Sequence, residues 1–242
     1  MSHKADSEGL DVAGFGKIAK AIPAKVYQRS AEVVLTTFQD LIAPITETTS
    51  GLGRYIRQKF DAMVEVEKAL ATYTLEEATV RAQARVARAG GSLRPPIHPK
   101  TFVRAIEEAS KETDPLLHEM WANLLASQLT DETCHPHFVE ILPHFSPAEA
   151  KLLVSLLSRS EVGENGGGYV VFSYDGFTHF IRRAGGELNP WTMSCVLLCE
   201  FRFADLLGPK GDTPPRGVTI LYRTVSGAAF LSAVTPPPLG RP

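Results

Sequence analysis

Cys134, His135, His137 and His144 form the densest group of metal-ligating residue types in this 242-residue chain. Structural zinc takes about four such groups at defined spacing, and the remaining cysteines, Cys195 and Cys199, lie far downstream. His135-Pro136 reads better as the start of a helix, so no metal is expected. Cys195 and Cys199 share a helix face at four-residue spacing and are expected to act as small apolar residues. His118-Glu119 lacks the second histidine of a zincin helix. Gly14-Phe15-Gly16-Lys17 lacks the strand before, and the Ser/Thr after, that a phosphate loop needs. Glu161 to Gly168 is Gly-rich but carries no lysine. No serine sits between the glycines of a nucleophile elbow. A non-enzyme without cofactor is therefore expected, with no catalytic, cofactor-binding or metal residue assigned. Arg81, Arg85 and Arg88 make a basic ridge, read as a solvated face in preference to a binding patch.

These residues would be positioned by helices. Residues 1–14 are polar, a flexible tail. Helical periodicity runs through 15–45, with Ile22-Pro23 as a break and Val33, Val34, Phe38, Leu41 and Ile42 inward. A helix from about 52 through 70 places Tyr55, Ile56, Phe60 and Met63 on one face, and the helical pattern resumes over 73–89. Two glycines and three prolines between Gly90 and Pro99 form the clearest boundary. Four helices follow. The first spans about 99–112. The second has Asp114 as N-cap and Pro115 at its first position. Its apolar stripe is Leu116, Leu117, Met120, Trp121, Leu124 and Leu125, and His118, Glu119, Ala122, Asn123 and Ser127 are expected on the other side. The third spans about 136–144 with Phe138 inward. The fourth opens on the capping box Ser146-Pro147-Ala148-Glu149.

After Ser160 come a strand candidate at 169–173, a short helix at 175–184, a helix from Asn189 to about Ala204, an alternating strand at 218–223 and a last helix at 225–234. The fold class expected is mostly α (α+β). An N-terminal helical region (15–89) and a central helical region (90–145) precede a winged-helix-like domain (146–235) with two or three short strands, and a Pro-rich tail ends the chain (236–242). In that topology 189–204 takes the recognition position and 210–216 the wing tip.

Hydrophobic residues make up 44% and charged residues 21%, ordinary for a globular protein, and the net charge is -2. A protein that grips phosphates usually carries a basic excess. The recognition position holds a single basic residue, Arg202, and the other candidate phosphate contacts are Arg182, Arg183, Lys210 and Arg216. DNA binding is expected to be weak or absent. Three cysteines, an odd number, argue against a disulfide framework. No segment approaches the ~20 apolar residues of a spanning helix, the N-terminus shows no signal-peptide pattern, and a cytoplasmic placement is expected.

Residues from about 20 to 160 resemble the Abi-alpha (abortive infection alpha) family of bacterial proteins. The residues that carry the resemblance are Ile22-Pro23, Pro95-Pro96 and three ordered blocks. These are Leu117-His-Glu-Met-Trp-Ala-Asn-Leu-Leu-Ala-Ser127, His135-Pro-His-Phe-Val-Glu-Ile-Leu142 and Ser146-Pro-Ala-Glu-Ala-Lys-Leu-Leu153. Trp121, Asn123, Leu124, Leu125, Pro136, Phe138, Ser146 and Glu149 are the motif and core positions. Beyond Ser160 it is limited to Leu207-Gly208 and the Thr-x-x-Gly-x-x-Phe run from Thr224 to Phe230. The resemblance implies antiviral defence, in which an infected cell stops growth or dies, and it transfers no catalytic residue. Two functions follow. The first is a non-enzymatic phage-resistance protein acting through a protein partner or as a homo-oligomer. Its assembly face would include Phe38, Leu41, Tyr55 and Phe60, and its N-terminal helices could touch a membrane surface. The second is a winged-helix nucleic-acid-binding regulator. No small-molecule ligand is assigned.

Overall fold

The structure, a computed structural model, describes residues 52–89, 93–94, 96–131, 134–156, 158, 170–173, 190–206 and 218–236. The readings of 15–45, with Phe38 and Leu41, lie outside the described residues. So do those of 175–184 and of the loop 210–216, with Arg182, Arg183, Lys210 and Arg216.

Helices α1 (Leu52–Ala62) and α2 (Glu65–Ala89) replace the expected helix through residue 70 and its continuation. The break falls at Met63-Val64 because a new N-terminus is built there. The Glu67 carboxylate accepts the Val64 N–H at 3.3 Å, and Glu65 and Glu67 place negative charge in the first turn of α2. The inner face of α2 is small: Ala71, Thr74, Ala78 and Ala82 are buried. The Thr74 hydroxyl donates to the Leu70 carbonyl at 2.7 Å, so a buried polar group is satisfied within its own helix.

Helix α3 (Pro99–Ala109) buries Phe102, Val103 and Ile106 and ends three residues short of the expected 112. Glu112 there turns the chain, its Oε1 accepting the N–H groups of Thr113 and Asp114 at 2.8 and 2.7 Å. Asp114 Oδ1 then accepts from Leu116 N and Leu117 N at 2.9 and 3.2 Å and caps α4 (Pro115–Gln128). Helix α4 is the axis of the fold, packed by α2 and α3 and by the two helices α6 (Pro147–Ser155) and α8 (Val225–Val234). Burial on so many sides corrects the two-sided reading. Ala122, Asn123 and Ser127, expected opposite the stripe, are buried with it. The Ser127 hydroxyl donates to the Ala233 carbonyl at 2.7 Å, which docks α8 on α4.

Helix α5 is short (His137–Ile141) and runs into a 3-10 turn, Leu142–His144. Strand β1 (Val170–Ser173), helix α7 (Pro190–Glu200) and strands β2 (Ala204–Leu206) and β3 (Val218–Arg223) follow. The sheet has the order β1-β3-β2, antiparallel throughout, with Val170 opposite Leu221 and Ala204 opposite Arg223. Helix α7 stops at Glu200, short of the expected 204, at a Schellman motif. Phe203 N–H reaches the Leu198 carbonyl at 2.8 Å and Arg202 N–H the Cys199 carbonyl at 2.9 Å. Arg202 takes φ 58, the left-handed region that glycine fills without strain. Arg202→Gly is expected to leave the fold unchanged and to stabilise it by up to ~1 kcal/mol, read as a rise in the denaturant midpoint.

One hydrophobic core runs from Phe60 to Val234 and contains residues of all three regions drawn from the sequence at 15–89, 90–145 and 146–235. Its aromatic end joins Phe138, Phe145, Phe203 and Phe230. The Phe203 and Phe230 rings stack at 4.5 Å between centroids, and Phe138 meets Phe230 edge-on at 5.2 Å. Among the described residues, no helix is long and apolar enough to cross a membrane.

Candidate functional site

A cleft of about 270 Å³ opens between α2 and α4 where the turn after α3 meets them. Helix α2 lines it with Leu70, Tyr73, Glu77 and Arg81, at spacings that put the four on one helix face. The turn adds Glu112 and Thr113, and α4 adds Pro115, His118, Glu119 and Ala122. Arg81 bridges the two helices, with Nη2 at 3.5 Å from Glu77 and Nη1 at 3.3 Å from Glu119. These pairs are part-exposed and of the kind worth about 0–1 kcal/mol each. Their significance is placement.

His118 stacks on Tyr73, ring centroids 5.3 Å apart. Its Nε2 lies 3.4 Å from the Thr74 hydroxyl. The Thr74 proton is spent on the Leu70 carbonyl, so the hydroxyl oxygen faces His118 as an acceptor and the neutral ring carries its proton on Nε2. Burial pushes the His118 pKa below its ordinary value; Glu77 opposes that shift and Arg81 adds to it. Burial raises the Tyr73 phenol, with Glu77 acting in the same direction. At neutral pH the cleft therefore holds a neutral imidazole and a neutral phenol beside the side chains of Glu77, Glu112, Glu119 and Arg81.

The sign of the acid response follows. A histidine whose folded pKa is depressed leaves the unfolded chain binding more protons between the folded value and about 6.5. Stability is complete above that window and falls as pH drops through it, by at most about 1.4 kcal/mol per pH unit. His118→Gln should flatten this limb in a pH series of denaturant melts. The charged groups around the ring are Glu77 and Arg81 of α2, Glu112 of the turn and Glu119 of α4. A limb unchanged in the variant would remove His118 as its cause.

By sequence, His118 and Glu119 fall on the polar side of α4 and Arg81 on a solvated ridge. The structure brings Arg81 to Glu119 and sends Arg85 elsewhere, its Nη2 donating to the Thr235 carbonyl at 2.8 Å. The helical spacing of Tyr73, Glu77 and Arg81 was the signal for a shared face; that α4 lies opposite was not in it.

The motif positions are structural. Trp121, Asn123, Leu124 and Leu125 are buried, as is Phe138. Pro136 precedes α5 as its N-cap. Ser146 Oγ accepts the Ala148 N–H at 3.2 Å and Glu149 Oε2 accepts the Ser146 N–H at 2.7 Å, completing the capping box of α6. Glu149 also accepts the Ser194 hydroxyl from α7. Burial works to raise its pKa, but the hydrogen bonds from Ser146 and Ser194 prevail and hold it below the ordinary carboxylate value. His137 Nδ1 lies 3.0 Å from Glu140, and the His135 and His137 rings meet edge-on. Burial pushes the Cys134 and Cys195 thiols up to about 12 and Cys199 to about 11, so all three stay protonated at neutral pH. Among the described residues, no three His, Cys, Asp or Glu side chains are grouped as metal ligands. Arg202 is exposed at the end of α7. Of the assembly-face residues, Tyr55 is 41% exposed, whereas Phe60 is 5% exposed and packs into this chain's own core, so it is not part of an outer face.

No curated protein and no solved structure matches the chain. The three blocks at 117–127, 135–142 and 146–153 all fall inside one matched segment, which runs from the second turn of α2 past β1. Residues 71–181 match the family model described as abortive infection alpha, and over that segment the chain is similar to that family.

Proposed function

We propose that this protein is a bacterial anti-phage defence protein of the abortive-infection kind, acting in the cytoplasm through contacts with a protein partner or with further copies of itself and not through catalysis. The family match over residues 71–181 carries the reading. The positions that carry the resemblance, Trp121, Asn123, Leu124, Leu125 and Glu149, are buried at the centre of the fold. They specify a scaffold, which leaves recognition to its surface. Plating phage on cells with and without the gene tests the role. Equal plaque numbers and equal survival across a broad phage panel would remove it. Light scattering should report more than one chain, and Tyr55→Asp, at an exposed position, should reduce the assembly without unfolding the protein.

A second reading is a winged-helix nucleic-acid-binding regulator. It takes 146–235 as winged-helix-like with α7 in the recognition position, and it rests on the order α6, β1, α7, β2, β3 and the antiparallel sheet. Major-groove readers place Arg, Lys, Asn or Gln at the start of that helix, whereas here Pro190 to Glu200 contains none of them. A winged helix with this reading face would serve protein contact or cap the bundle. DNA affinity should be about tens of micromolar or weaker at physiological salt and vanish as salt rises. A monomer that protects a defined DNA site from nuclease would promote the regulator instead.

A further inference from the structure

We propose that the cleft between α2 and α4 binds a primary alkylammonium group, its charge held by the carboxylates of Glu77 and Glu119 and its methylenes laid against Leu70, Pro115 and Ala122. Charge is the first argument. The lining carries three carboxylates, Glu77, Glu112 and Glu119, against one guanidinium, Arg81. Both Arg81 Nη atoms are already turned to Glu77 and Glu119, so the guanidinium offsets one carboxylate and the lining keeps an excess of acidic groups. His118, held neutral by burial, does not cancel the excess.

Hydrogen-bonding capacity is the second argument. With the His118 proton on Nε2 toward Thr74, Nδ1 is an acceptor. The carboxylates are acceptors only. A cleft rich in acceptors complements a ligand that is all donor, and an ammonium has three N–H donors and no acceptor. Size is the third. A volume of about 270 Å³ lies below drug-sized pockets and suits a short alkyl chain. The apolar wall of Leu70, Pro115 and Ala122 gives that chain a surface which a bare metal ion would not use. The same chemistry is offered by a free diamine and by a lysyl side chain. This inference does not depend on the defence reading, and a negative plating result leaves it standing.

Isothermal titration of the full chain at low salt and neutral pH tests it, with 1,4-diaminobutane, a backbone-blocked lysine, n-butanol and inorganic phosphate as probes. The diamine should bind at one site with a Kd of about 0.1 to 1 mM, and n-butanol and phosphate should give no saturable heat. Glu77→Gln with Glu119→Gln should weaken the diamine at least ~10-fold. Their side chains are 39% and 48% exposed, so the fold should persist, and a melting curve checks it. Glu112→Gln keeps the oxygen that accepts from Thr113 and Asp114 while removing the charge, and should weaken binding about threefold. Tighter binding of blocked lysine would assign the site to a lysyl side chain, and tighter diamine binding to a free amine. No saturable binding up to about 20 mM, equal affinity in the double variant, or phosphate binding more tightly than the diamine would overturn the proposal.

Discussion

Trp121→Ala is expected to destabilise the protein by about 3 to 5 kcal/mol, the range for truncating a large buried aromatic, through lost transfer energy and the cavity left behind. Trp121 is 2% exposed and lies on α4, which four other helices pack. With packing on every side, the surroundings cannot collapse into the void without moving a whole helix. Denaturant melts would read the loss as a lower midpoint with an unchanged slope. A loss under about 1 kcal/mol would mean that Trp121 is solvent-facing and available for contact.

Gly227→Ala carries the next largest expected effect, and its sign separates two accounts. Helix propensity alone predicts a gain of about 1 kcal/mol, because Gly227 sits in the first turn of α8. The tertiary structure predicts a loss. A Cβ at this position would lie 2.1 Å from the Phe203 carbonyl oxygen and 2.9 Å from its carbon. That oxygen cannot retreat freely, since it accepts the Thr224 N–H at 3.0 Å, while the Thr224 hydroxyl donates to the Arg202 carbonyl at 2.6 Å. Pushing α8 away would also part the stacked rings of Phe203 and Phe230. A loss of about 2 to 4 kcal/mol is expected, at or above the ordinary range for overpacking. A stabilised variant would show that α8 does not approach Phe203 this closely.

These three positions also explain the Thr-x-x-Gly-x-x-Phe run. Thr224 caps α8, its Oγ1 accepting the Gly227 N–H at 3.0 Å. Gly227 admits the Phe203 backbone and Phe230 stacks on the Phe203 ring. All three serve one corner of the fold, and their spacing in sequence is the helical spacing of one face of α8.

Local hydrogen bonding made much of the fold legible in the sequence. Asp114 with Pro115 and Ser146 with Glu149 announced the starts of α4 and α6, because a cap forms between residues two or three apart and needs nothing from the rest of the chain. The apolar stripe of α4 was visible for the same reason, as was the alternation of β3. The end of α7 was not, since Arg202 stands where a Schellman motif would ordinarily advertise itself with glycine. What lies opposite a helix face is a different kind of fact. Asn123 and Ser127 read as polar and outward, but α8 returns over α4 and buries Ser127 against a carbonyl 106 residues away. Arg81 and Arg85 read as one basic ridge. Packing divides them, Arg81 to Glu119 and Arg85 to Thr235, partners 38 and 150 residues distant. The cleft exists only because α2 crosses α4 there, so the sequence determines its residue types and the packing of the helices decides their convergence.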